Sequence, residues 1–170
     1  MKRTGFFLFL LFFLAALVLV YIFANSMQSG EGSIARSDRI IEKLQPIFGV
    51  SSEEADDAVY ADWNFFVRKS AHIIEFGALG ILIGGGMLYL YDRTRRLPLG
   101  AALFCALFIG LMDEYIQNFT GRTSLVKDVL LDFAGALLGI LISVGVYALL
   151  RRRKKNKNRQ EANIQKGEEA

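Results

Sequence analysis

Cysteine, histidine and proline are scarce in this chain of 170 residues, which contains one Cys, one His and two Pro. A single cysteine, Cys105, excludes an intrachain disulfide framework and a cysteine-rich metal site. Apolar residues, in contrast, make up 53% of the chain, and they gather in long runs that leave no polar face to turn toward water. The sequence therefore predicts a membrane protein, with the bilayer as its main partner, and not a reader of nucleic acid.

Four of these apolar runs are long enough to cross a bilayer, because a hydrocarbon core of about 30 Å needs about 20 helical residues. The first run follows Lys2 and Arg3 and is longer than the apolar part of a secretory signal, so we interpret it as an uncleaved span. The predicted fold is all-α, a polytopic membrane protein of four transmembrane helices. The predicted spans are residues 5–24, 70–91, 99–119 and 128–150.

The distribution of basic residues predicts the orientation, because Lys and Arg are retained on the cytoplasmic side of a membrane. Most of them lie at the two termini and between the second and third spans. Both termini are therefore predicted in the cytoplasm, and the 45-residue loop 25–69 outside the cell membrane. Apolar residues at partly helical spacing, and a helix-start signal at Ser51-Ser52-Glu53-Glu54, predict short amphipathic helices in this loop.

The distribution of apolar residues divides the chain into two regions. Residues 1–150 form one predicted membrane domain. Residues 151–170 form a basic cytoplasmic tail with too little apolar surface to fold by itself, and disorder is predicted for it.

Polar residues inside the spans are informative, because a charge within a bilayer is costly unless something satisfies it. Here they recur at helical spacing near one end of three spans, for example His72 four residues after Arg68, and Asp132 four residues after Asp128. The predicted topology brings these ends to the outer membrane face, which predicts one polar site there. Its residues are Arg68, Lys69, His72, Glu75, Asp113, Glu114, Gln117, Arg122, Asp128 and Asp132.

Three of these residues, His72, Glu75 and Glu114, are candidates for catalysis. Histidine has an ordinary pKa near neutrality, and Glu75 lies one helical turn further on, where it could orient the ring for acid–base transfer. A buried His–carboxylate pair that serves packing alone is the alternative. Asp113 and Glu114 point about 100° apart on a helix, so only one of them is expected to face the bundle, and Glu114 is favoured.

The other polar residues are candidates for ligand binding: Arg68, Lys69, Asp113, Gln117, Arg122, Asp128 and Asp132. Arg122 on a short turn can bind a phosphate or carboxylate through two parallel hydrogen bonds, or it can neutralise Asp128 and Asp132. An oxygen-rich site for Mg or Mn can be drawn from His72, Glu75, Glu114 and Asp132, but we predict neither a metal nor a cofactor.

Two G-x-x-x-G motifs, Gly80 with Gly84 and Gly135 with Gly139, predict close helix contacts. The second motif continues the stripe of Asp132 along the fourth span. The surface that packs against a neighbouring helix is thus expected to carry the acid and to shield it from lipid.

Together these motifs resemble the VanZ-like family of membrane proteins. The resemblance covers residues 5–150, and Phe76 stands where the family often has Tyr, so a role for a hydroxyl there is in doubt. It implies an integral membrane protein associated with lowered susceptibility to teicoplanin and related lipoglycopeptides. The residues on which the resemblance rests are Arg68-Lys69-Ser70-Ala71-His72-Ile73-Ile74-Glu75-Phe76, Asp113-Glu114-Tyr115-Ile116-Gln117, Gly121-Arg122, Asp128 to Asp132 and Gly135, with Ser26-Met27-Gln28-Ser29 and Ser37 before them.

Three functions remain open on this basis. The first is a site that binds or modifies a lipid-linked or cell-wall headgroup, with catalysis undecided. The second is a proton-coupled transporter, against which no charge lies at mid-depth in any span. The third is a structural role, in which the charges only fix the order of the helices. The sequence does not determine the oligomeric state.

Overall fold

A computed structural model describes residues 2–48, 57–122 and 125–168, and this part of the chain is helical without any strand, as predicted. Its helices are α1 (Lys2–Ser26), α2 (Gly30–Phe48), α3 (Asp57–Thr94), α4 (Leu99–Asn118) and α5 (Val126–Glu168). Four of them contain segments long and apolar enough to cross a membrane: Gly5–Ser26, Tyr60–Thr94, Leu99–Asn118 and Val126–Asn163. The prediction of four membrane-spanning helices is confirmed.

Two helices extend beyond the predicted spans. Helix α3 begins at Asp57, whereas the sequence predicts its span from Ser70 onward. The sequence suggested a later start because Arg68 and Lys69 resemble residues at a membrane boundary, yet in the fold they lie inside one continuous helix. Helix α5 continues past residue 150 to Glu168, and its side chains are exposed from residue 151 to residue 163. Disorder of this tail stays a prediction.

The segment between α1 and α3 contains a helix, as its spacing predicts. Helix α2 turns Ser37 and Ile41 inward, where both are buried. It packs on the first turns of α3, because Asp38 accepts hydrogen bonds from the Tyr60 hydroxyl at 2.9 Å and from Asn64 Nδ2 at 2.6 Å. The second predicted helix start, at residues 51–54, lies outside the described residues. The side of the membrane on which α2 lies stays a prediction.

Helices α3 and α5 form the most extensive helix pair of the bundle, through their glycines. A Cβ atom built on Gly80 would lie 2.0 Å from the carbonyl oxygen of Ala136, and one built on Gly139 would lie 2.1 Å from that of Gly77. Only glycine allows such close approach of two helix backbones. The close helix contact predicted from the two G-x-x-x-G motifs is therefore confirmed.

Below the polar residues the bundle is filled by two apolar layers. The first contains Phe76, which is completely buried, so an aromatic ring fills this position without the hydroxyl of a tyrosine. Large apolar side chains cover the outside of the bundle, as expected for helices whose solvent is lipid. The buried residues of the first layer are Ile22, Phe76, Leu79, Ala106 and Ala136, and those of the second are Met87, Leu88, Ala102 and Ile140.

Candidate functional site

An acidic cluster of four residues lies at one end of the bundle, where α1 and α4 end and α5 begins. It consists of His72, Asp113, Glu114 and Asp132, and one potential ligand atom from each lies within 4.8 Å of those of the other three. His72 Nδ1 is 3.1 Å from Asp132 Oδ1 and 3.8 Å from Asp113 Oδ2. Three helices that are remote in sequence thus deliver one imidazole and three carboxylates to a single point.

Glycine packing brings the acidic cluster together. A Cβ atom on Gly135 would lie 2.8 Å from the carbonyl oxygen of Ile73, so α5 approaches α3 closely one residue after His72. A Cβ atom on Gly110 would lie 3.4 Å from the Cβ atom of Asp132, so α4 also leaves room for this side chain. Asp132 is therefore held between two helices and is completely buried.

Asp113 and Glu114 are both buried, with 0% and 2% of their surface exposed. The prediction that only one of these adjacent residues faces the bundle was wrong. Helix α1 covers this end of α4, where Ser26 donates a hydrogen bond to Asp113 Oδ1. Gln117, one turn further along α4, donates from Nε2 to Asp113 Oδ2 at 2.8 Å and to Glu114 Oε1 at 2.9 Å. A single helix viewed alone does not reveal how many neighbours surround it.

Glu75 is held outside the acidic cluster. Its Oε1 accepts a hydrogen bond of 2.8 Å from Asn25 Nδ2, and Asn25 in turn accepts one of 2.6 Å from Arg36. The partner of His72 is Asp132, so the predicted orientation of the His72 ring by Glu75 was wrong. Residues three apart on a helix share a face, but the carboxylate that contacts the imidazole comes from Asp132 on another helix.

A cavity of about 330 Å³ opens beside the acidic cluster, and four basic side chains, Arg68, Lys69, Arg122 and Lys127, belong to its lining. The half-buried Arg68 and Arg122 both line it, and among the described residues neither guanidinium forms an ion pair. Arg68 Nε is buried and has no hydrogen-bond partner in this part of the chain. We name this space the basic cavity; its charged and polar lining is Arg68, Lys69, His72, Gln117, Arg122, Lys127 and Asp128.

Arg122 lies on the turn between α4 and α5, next to Gly121, whose φ of 70° only glycine adopts readily. Burial and the like charge of Arg68 lower the pKa of the Arg122 guanidinium, while the charges of Asp113 and Glu114 act in the opposite direction. Among the described residues Arg122 forms no ion pair with Asp128 or Asp132, although the charge of Asp128 also acts on its guanidinium. Those carboxylates instead contact Lys69 and His72.

The ion pair of Lys69 and Asp128 lies at the rim of the basic cavity and separates a structural role from a binding role. We expect the double exchange Lys69→Asp with Asp128→Lys to keep the melting temperature near that of the wild type, because the pair is partly exposed and such pairs contribute about 1 kcal/mol or less. The function of the expressed protein, compared with the wild type at equal abundance, should fall, because the cationic side chain moves to another helix. Full activity of the exchanged pair at equal abundance would favour the purely structural role.

A smaller cavity of about 120 Å³ lies between α1, α2 and α3, and Arg68, His72 and Arg122 line it as well. Asn25 and Arg36 also line this smaller cavity, and neither was among the predicted site residues. Asn25 comes at the end of the first apolar run, directly before Ser26, and that position is the only signal that the sequence offered. Ser26, noted only as part of the family resemblance, is 2% exposed and bonded to Asp113.

These features define a class: a multi-pass helical membrane protein with a buried His–carboxylate cluster and a basic cavity at one end of its bundle. The VanZ/LLP1 family model matches residues 7–150, and the chain belongs to this family. No curated protein and no solved structure matches the chain significantly.

Proposed function

We propose that this VanZ/LLP1 protein binds the anionic headgroup of a lipid-linked or cell-wall component in the basic cavity, and thereby lowers susceptibility to teicoplanin-type lipoglycopeptides. The supporting observation is that Arg68 and Arg122 line one cavity without an ion pair among the described residues. Two like charges that are partly removed from water repel each other, and an anion between them relieves this repulsion. A phosphate oxygen pair also suits the planar donor groups of a guanidinium.

The position and lining of the basic cavity suit a lipid headgroup in particular. Supporting this, it lies where α4 ends and α5 begins, and both helices are long and apolar enough to cross a membrane, whose headgroups lie at the ends of such helices. Phe65 and Leu125 also line it and are largely exposed, so an acyl or prenyl chain could leave along them. Its volume of about 330 Å³ is within the usual range of small-ligand sites.

His72 is the residue best suited to proton transfer if the bound component is also modified. It lines the basic cavity, and Asp132 holds its Nδ1 at 3.1 Å. A carboxylate that fixes one ring nitrogen leaves the other to exchange a proton with a ligand. Glu114 belongs to the same acidic cluster, whereas Glu75 lines only the smaller cavity.

The proposal is tested by expressing the chain in a susceptible Gram-positive host and measuring growth inhibition by teicoplanin and by vancomycin. We expect the wild type to raise the inhibitory concentration of teicoplanin more than that of vancomycin. Arg122→Ala should lose this shift, because it removes a guanidinium of the basic cavity. Arg153→Ala, which removes an exposed arginine of the tail, should keep it.

Equal membrane abundance of all variants, checked by immunoblot, separates loss of the site from loss of the protein. A wild type that shifts neither inhibitory concentration would contradict the resistance part of the proposal. A shift that survives in Arg122→Ala would contradict the assignment of the basic cavity as its site.

A further inference from the structure

Two carboxylates of the acidic cluster, Asp113 and Asp132, are completely buried beside a single imidazole. Asp113, Glu114 and Asp132 have at most 2% of their surface exposed. His72, even when protonated, supplies one positive charge to this group. Arg122 lies near enough to act on Asp113 and Glu114 through space, but it forms no ion pair within the described part of the chain. Two buried carboxylates that share one imidazole are costly to keep ionised.

One oxygen of the acidic cluster lacks a partner. Asp132 Oδ1 faces His72, whereas Asp132 Oδ2 is buried and has no hydrogen-bond partner among the described residues. Buried polar atoms are nearly always bonded, and an exception requires an explanation. A cation held next to this carboxylate would satisfy the oxygen and would also add positive charge beside Asp113 and Asp132.

We propose that His72, Asp113, Glu114 and Asp132 bind a divalent cation of the Mg²⁺ or Mn²⁺ type. One imidazole nitrogen and three carboxylate oxygens are a donor set that suits Mn²⁺ and, through its oxygens, Mg²⁺. Ligand atoms on opposite sides of such a cation are about 4.2 Å apart, from metal–ligand distances of about 2.1 Å. The potential ligand atoms here lie within 4.8 Å of one another, which is close to this span.

Ser26 and Gln117 support this assignment, because they orient the proposed ligands. Ser26 donates to one oxygen of Asp113, and Gln117 Nε2 donates to the other and to Glu114 Oε1. Each carboxylate oxygen keeps a second lone pair for a metal. Hydrogen bonds from outside the ligand set are typical of metal sites, where they fix the ligand geometry.

This cation site goes beyond the proposed headgroup binding and does not depend on it. His72 and Gln117 also line the basic cavity, so the cation would lie next to the space assigned to the headgroup. The site can be tested on the protein alone.

The test uses the full chain purified in detergent, stripped with EDTA, dialysed and titrated with MnCl₂ while the electron paramagnetic resonance spectrum reports free Mn²⁺. We expect one Mn²⁺ to bind per chain and excess Mg²⁺ to displace it. Asp132→Asn should weaken binding by about 10-fold or more, since even residues behind the ligands contribute about that much. Glu75→Gln is the matched control, because this nearby carboxylate bonds Asn25, and it should bind Mn²⁺ nearly as the wild type does.

A monodisperse, helical wild type that binds no Mn²⁺ would overturn the proposal, as would equal weakening in Glu75→Gln and Asp132→Asn. Where Asp132→Asn does not fold, Glu114→Gln provides the same comparison. The wild-type melting temperature is a second measurement, because a cation bound only by the folded state raises it. We expect Mn²⁺ added after EDTA to raise it, and no rise would contradict the site.

Discussion

Alanine in place of Gly80 is expected to separate α3 from α5 and to leave little folded protein. The added Cβ atom would lie 2.0 Å from the carbonyl oxygen and 2.8 Å from the Cα atom of Ala136. Carbon atoms in contact keep about 3.5 Å from their neighbours, and backbone atoms cannot rotate away as a side chain does. The two helices must therefore move apart along their main contact, which we expect to cost about 3 kcal/mol or more.

Gly86→Ala is the matched control, because Gly86 lies on the same helix and a Cβ atom there would meet nothing within 4 Å. Fluorescence-detected size-exclusion chromatography after heating measures both variants in detergent. We expect Gly86→Ala to retain the wild-type melting temperature and Gly80→Ala to lose most of its monodisperse peak. Similar melting temperatures for the two variants would show that the α3–α5 contact does not determine stability.

Leucine in place of His72 is expected to destabilise the protein nearly as strongly as Gly80→Ala does. The imidazole contacts Asp132 at 3.1 Å and lies 3.8 Å from Asp113, and both carboxylates are completely buried. Removal of one partner of a buried charged pair costs about 3 to 5 kcal/mol, because the other partner stays buried without it. His72→Gln, which can still donate a hydrogen bond to Asp132, should lose less stability than His72→Leu.

A double variant separates this charge effect from a simple packing defect. If the cost of His72→Leu comes from the carboxylate left behind, Asp132→Asn should be less harmful in its presence than alone, which a double-mutant cycle measures as coupling. Melting temperatures of the wild type, both single variants and the double variant complete the cycle. Strict additivity would mean that the two side chains do not stabilise each other.

The two proposals assign different ligands to two neighbouring sites at the same end of the helix bundle. The basic cavity offers guanidinium and ammonium groups to an anion, and the acidic cluster offers carboxylates and an imidazole to a cation. Their separate tests matter, because Arg122→Ala addresses the first site and Asp132→Asn the second. The two sites meet at His72 and Gln117, which therefore do not serve as controls for either.

The helices were predictable from the sequence, because an apolar run must satisfy its backbone hydrogen bonds within itself when it crosses a bilayer. The lengths of α1 and α4 therefore agree closely with the predicted spans. The glycine motifs of α3 and α5 were equally informative, since small residues four apart mark where two helices approach. The predicted start of the second span was later than that of α3, because charges at Arg68 and Lys69 do not tell whether a helix continues through them.

A helical membrane protein whose polar residues gather near one end of its spans could be predicted without a structure, because hydropathy and helical spacing are local properties of the chain. His72, Asp113, Glu114 and Asp132 were each predicted from the sequence as residues of the polar site. Their partners became evident from the packed helices: Asp132 and not Glu75 contacts His72, and Asp113 is as buried as Glu114. Partners depend on how far three helices rotate and approach, and that is set by packing between residues distant in the chain.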